Sequence, residues 1–148
     1  MTAKLKHGIT KVKDPGSALT HFIAMILAII AAMPLLSKAG HDSGHMHISA
    51  LAVFILSMIG LYAASTIYHT LDISPKINKL LRKIDHMMIF ILIAGTYTPV
   101  CMIVLGDKTG WTMLTLVWGI AIVGILINAL WITCPKWFSS LIYIAMGW

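Results

Sequence analysis

The sequence predicts an all-α membrane protein, a polytopic helix bundle with four complete spans and a partial fifth. Three observations carry that prediction. Of 148 residues, 59% are hydrophobic, 11% are charged and none is Glu, whereas soluble domains carry about 25% charged residues. The apolar residues fall in runs of about 20, the length an α-helix needs to cross roughly 30 Å of hydrocarbon. The Lys and Arg residues lie in short flanks beside those runs.

Residues 1–16 are polar, and Asp14-Pro15-Gly16 reads as a turn ahead of a helix capped near Ser17. The first span is expected over about 17–36, with Pro34 bending or ending its last turn. A polar loop from Ser37 to His47 leads to a second span over about 48–69, antiparallel to the first because the connection is short. The next loop holds Asp72, Pro75, Lys76, Lys79, Arg82 and Lys83, with a short interfacial helix expected after Ser74-Pro75. A third span covers about 84–105. Gly106-Asp107-Lys108-Thr109-Gly110 has turn chemistry, and a fourth span covers about 111–133. After Cys134-Pro135-Lys136-Trp137 a last apolar run starts at Phe138 and stops at Trp148, about 11 residues on. That is half of what a crossing needs, so the chain reads as one domain that is incomplete at its carboxy terminus. The competing expectation is a re-entrant or interfacial helix anchored by Trp137 and Trp148.

Orientation follows from the basic residues. The amino-terminal tail, the second loop and the fourth loop together carry nine Lys and Arg, against Lys38 and Lys108 on the other side. The positive-inside rule then places the amino terminus in the cytoplasm of a multi-pass inner- or plasma-membrane protein. The formal charge of +6 is thereby explained by topology, and no basic face of useful length is left for nucleic acid. The first apolar run lacks a small-residue cleavage site and reads as an anchor. Cys101 and Cys134 fall on opposite sides, which argues against a bridge between them.

With that topology, His21, His69 and Asp85 lie at similar depth near the cytoplasmic interface, on three helices adjacent in sequence. Ser65 precedes His69 by one turn and shares its face. Ionisable groups within spans cost about 2.5 to 3.5 kcal/mol on insertion scales and often mark function. A neutral imidazole at His69 suits zinc, Asp85 suits a general base beside a water, and Ser65 could orient either. Each also has a plainer reading. Either His can meet headgroups at a helix end, Ser65 can bond its own backbone carbonyl at i−4, and Asp85 can complement a helix dipole. His86 points about 100° away from Asp85 and is left aside. His41, His45 and His47 with Asp42 read as a solvated loop. Gly95-Thr96-Tyr97-Thr98-Pro99 interrupts the third span, with Pro99 expected to kink it and the small residues to permit close packing.

Three stretches together carry a resemblance: Asp14-Pro15-Gly16-Ser17-Ala18-Leu19-Thr20-His21, then Ser65 and His69 followed by Asp85, then Ala94-Gly95-Thr96-Tyr97-Thr98-Pro99. In this order the chain resembles the hemolysin III family, bacterial relatives of the progestin and adipoQ receptors in a membrane-hydrolase superfamily that includes alkaline ceramidases. The resemblance implies a seven-helix fold of which these residues form the amino-terminal part. It further implies a zinc ion held by His69 and by two histidines of a His-x3-His pair on the last helix, with Asp85 contacting the zinc-bound water and Ser65 lining the site. No such pair follows in these 148 residues, so this chain alone is expected to be inactive as a zinc enzyme.

The function expected is therefore a zinc-dependent hydrolase-type site for an amide or ester in a lipid-like substrate, with Asp85 and Ser65 catalytic, His69 a metal ligand and His21 lining the site. Membrane lipids are the expected partners. The alternatives are a cytolytic, pore-forming protein and a receptor-like regulator of membrane homeostasis without turnover. No polar stripe wide enough to line an aqueous pore is visible in the spans.

Overall fold

A computed structural model describes residues 12–42, 44–130 and 136–147, apart from the side chains at 41, 42, 136 and 138. Trp131, Cys134, Trp148 and the lysines at 4, 6 and 11 lie outside the described residues. The chain is all helical there: α1 Pro15–Asp42, α2 His45–Thr70, α3 Pro75–Pro99, a π-helical stretch Val100–Leu105, α4 Lys108–Leu130 and α5 Lys136–Gly147. Four of these are long and apolar enough to cross a membrane, α3 doing so together with the π-helical stretch.

Helix ends follow backbone chemistry more closely than hydropathy. Asp14, not Ser17, stands at the N-cap of α1: its carbonyl accepts the Ala18 N–H at 3.0 Å, and Pro15 occupies the first helical position, where a missing N–H costs nothing. Pro34 does not end α1, which runs on through Ser37-Lys38-Ala39-Gly40 to Asp42. Ser74 caps α3 by accepting the Ile77 N–H at 3.3 Å. The expected short interfacial helix after Pro75 is the first part of α3 itself, one unbroken helix up to Pro99.

Pro99 has no N–H to give the Gly95 carbonyl, and the backbone beyond it winds wider. The five-residue bond from Gly106 N–H to the Cys101 carbonyl, 3.1 Å, closes that stretch, and Gly106 turns the chain at φ 56°. The Asp107 carboxylate then accepts the N–H groups of Thr109 and Gly110 at 2.9 and 3.2 Å and starts α4.

Among the described residues α1 packs on α2 alone, α2 on α1 and α3, α3 on α2, α4 and α5, and α5 against α3 and α4. The four long helices thus form an open antiparallel row. A core of Phe90, Ala94, Val117, Ala121 and Met146 lies where α3, α4 and α5 meet. Thr98 ties α3 to α4 by accepting the Trp118 indole N–H at 3.2 Å, and the Lys83 ammonium bonds the Ala129 carbonyl near the end of α4. The outer side of α1 is bare, with Leu27, Ile30 and Met33 60%, 63% and 77% exposed. Lipid tails are as apolar as these side chains, so the exposure is at no cost in a bilayer.

Candidate functional site

The last turn of a helix leaves carbonyl groups without partners. At the end of α2 two of them are met by the segment entering α1: Asp14 N–H donates to the His69 carbonyl at 2.9 Å and Lys13 N–H to the Thr70 carbonyl at 3.4 Å. The Lys13 ammonium lies 3.7 Å from the Tyr68 ring centroid, a cation–π contact. This stretch closes one helix while it opens another.

Asp14 meets that junction through both its backbone and its carboxylate. Beyond its N–H and carbonyl, carboxylate Oδ2 accepts the Ser17 hydroxyl at 2.8 Å and lies 3.3 Å from Nδ1 of His69. The Ser17 hydroxyl holds the Asp14 carboxyl below its ordinary range against an opposing desolvation, with smaller contributions in the same direction from the Ser17 backbone N–H and from His69. The carboxylate also suits its place at the start of α1. The sequence marked Asp14 as a turn residue and part of a motif, not as a partner of His69.

His21 joins the same cluster. Its ring stacks on that of His69 with centroids 5.6 Å apart and planes 20° from parallel, and it also lies 6.0 Å from the Tyr62 ring. Tyr62 and His69 are seven residues apart, two turns along the face of α2 that meets α1. Ser57 and Gly60 lie on the face that meets α3, against Gly95 and Met88. At about 100° per residue Ser65 falls between these two faces, and it is 4% exposed.

The same antiparallel register sets Ser65 level with Asp85. Gly60 lies against Met88, and five residues further along α2 correspond in height to a few residues back along α3. Asp85 is buried, at 9% exposure. Its neighbour His86 bends back despite its different angle on the helix, with Nδ1 3.7 Å from Oδ2 of Asp85 and 2.8 Å from the Arg82 carbonyl. That carbonyl can only accept, so the His86 proton sits on Nδ1. The Tyr143 hydroxyl donates to the His86 carbonyl at 2.9 Å and ties α5 to this turn.

One end of the bundle thus gathers Asp14, His21, Ser65, His69, Asp85 and His86, in two groups. The α1–α2 junction brings together His21, His69 and Asp14, and the third turn of α3 holds Asp85 with His86. Among the described residues no three His, Cys, Asp or Glu side chains are arranged to hold a metal ion.

Residues 9–148 match the family described as "Haemolysin-III related". The chain belongs to that family. It is 38% identical to Hemolysin-3 of Bacillus cereus over 149 residues, covering 100% of this chain and 68% of the relative. It is 35% identical to the Hemolysin-3 homolog of Bacillus subtilis (strain 168) over 136 residues, covering 92% of this chain and 63% of the relative. The chain therefore spans about two thirds of the length of these haemolysin III relatives. No solved structure matches it. This haemolysin III-related chain is a multi-pass membrane protein by its four apolar helices.

Proposed function

We propose that this chain contributes the amino-terminal part of a zinc-dependent hydrolase-type site, acting on an amide or ester of a lipid-like substrate at the cytoplasmic face of the membrane. The observation that supports this most is the burial of Ser65 and Asp85, at 4% and 9% exposure, at the end of the row that also holds His69. A carboxylate within a span is costly to insert, and such groups are kept mainly where they do work. The excess of Lys and Arg on the flanks of that end supports a cytoplasmic position.

In this reading His69 is one zinc donor, and the remaining donors come from outside these 148 residues. Zinc, when bound, supplies Lewis-acid polarisation. The chain's own residues do the rest: Asp85 takes a proton from water, and the Ser65 hydroxyl donates to the oxygen that gains charge.

The test is the zinc content and lipid-amide hydrolysis of the protein expressed from its whole reading frame, beside His69→Ala and Asp85→Asn. Loss of zinc in the first variant, and loss of turnover with zinc retained in the second, is the expected pattern. Unchanged zinc and activity in His69→Ala overturns the reading. The relatives are named hemolysins, which supports membrane permeabilisation as a second reading. Dye release from liposomes, compared with an unrelated membrane protein at equal density, separates the two.

A further inference from the structure

We infer that Asp14 is a positioning residue for His69, fixing its ring and placing the imidazole proton on Nδ1, so that Nε2 is the nitrogen left to act as base or ligand. The assignment rests on the reading of His69 as a functional imidazole, while its geometry stands apart from any metal.

Four constraints converge on this ring. The Asp14 carboxylate, 3.3 Å from Nδ1, can only accept, so the nitrogen facing it carries the proton. That carboxylate is itself held: its oxygen accepts the Ser17 hydroxyl at 2.8 Å, and its backbone is bonded to the His69 carbonyl at 2.9 Å. The His21 ring covers one face of the imidazole at 5.6 Å, and the Tyr68 ring meets it at 4.8 Å with planes 61° apart. His69 therefore has little freedom to flip, and the side chain that sets its tautomer comes from the segment ahead of α1.

The test is ¹⁵N NMR of histidine-labelled protein in lipid nanodiscs, stripped of metal with a chelator, at about pH 9, well above the ordinary imidazole value of about 6.5. His69 is assigned by comparison with His69→Gln. Wild type is expected to show His69 with its proton on Nδ1. Asp14→Ala is expected to shift it toward the Nε2–H form that neutral imidazole prefers in water, and Asp14→Glu to restore the wild-type signal in part. An Nε2–H signal in wild type overturns the assignment, as does a signal that Asp14→Ala leaves unmoved. Zinc retained by the protein from the whole reading frame separates this inference from the proposed function. A fall of about 10- to 100-fold in affinity in Asp14→Ala supports both. A tautomer shift with no zinc bound even in wild type leaves Asp14 positioning His69 and removes the zinc reading.

Discussion

Gly95 and Ser57 meet so closely across α3 and α2 that a Cβ on Gly95 would overlap the Ser57 hydroxyl and lie 2.8 Å from its Cβ. The hydroxyl already donates to the Phe54 carbonyl at 2.7 Å, so the side chain has nowhere to retreat without moving a helix. This contact sets the distance between the two helices that carry Ser65 and Asp85.

Gly95→Ala is therefore expected to destabilise the bundle by about 1 to 3 kcal/mol from overpacking, against a gain of roughly 1 kcal/mol in helix propensity. Gly119→Ala, where nothing lies within 4 Å, keeps only the gain. Unfolding midpoints in mixed micelles check the pair. Equal midpoints for the two variants would show that the α2–α3 contact is looser than described.

The Asp14 carboxyl gives the junction a pH dependence of known sign. Its folded value is depressed below the ordinary 3.8, so its contribution is present above the unfolded value and is lost as pH falls through the folded one. The difference in thermal stability between wild type and Asp14→Asn should shrink once pH drops below about 3.8. A difference that persists unchanged to the acid limit would assign it to something other than the carboxylate charge.

How much of this was legible in the sequence differs from residue to residue. The four long helices were, because apolar runs of bilayer length have few other solutions in a membrane. The meeting of His21 with His69 was also foreshadowed, since two antiparallel helices place the start of one beside the end of the other. Hydropathy did not locate helix ends: Ser37 to Asp42 are polar, yet they continue α1, because a helix needs satisfied carbonyls and not apolar side chains. Asp14 was hidden for another reason. Its partner His69 is far away in sequence, and a local reading of Asp-Pro-Gly reports only the turn. His86 was set aside on helical angle alone, which ignores the reach of a side chain next to Asp85.

The cap of α3 is a local device with a local cost. Ser74 accepts the Ile77 N–H, and the Asn78 amide bridges back, donating to the Asp72 carboxylate at 2.6 Å and accepting the Ile73 N–H at 3.2 Å. Ser74→Ala is expected to cost about 1 kcal/mol, while Ser74→Asp retains most of it. Hydrogen exchange of the Ile77 amide gives the direct readout, and unchanged protection in the alanine variant would remove Ser74 from the cap.

Thr98 and Trp118 should show measurable coupling. The Thr98 hydroxyl donates to the Ala94 carbonyl at 2.9 Å and accepts the Trp118 indole N–H at 3.2 Å, so both its functions are used beside Pro99. Thr98→Val keeps the shape and leaves the indole N–H unpaired in an apolar setting, whereas Trp118→Phe removes the donor and leaves the hydroxyl its bond within α3. Interhelical hydrogen bonds in membranes average about 0.6 kcal/mol and reach about 1.7. A double-mutant cycle of the two substitutions is expected to return a coupling in that range, with Thr98→Val the costlier single change because it strands a part-buried donor. Additive effects would mean that the indole finds another acceptor, and that α3 and α4 are held together by core packing, such as Phe90 against Gly124, and by the Lys83 bond to the Ala129 carbonyl.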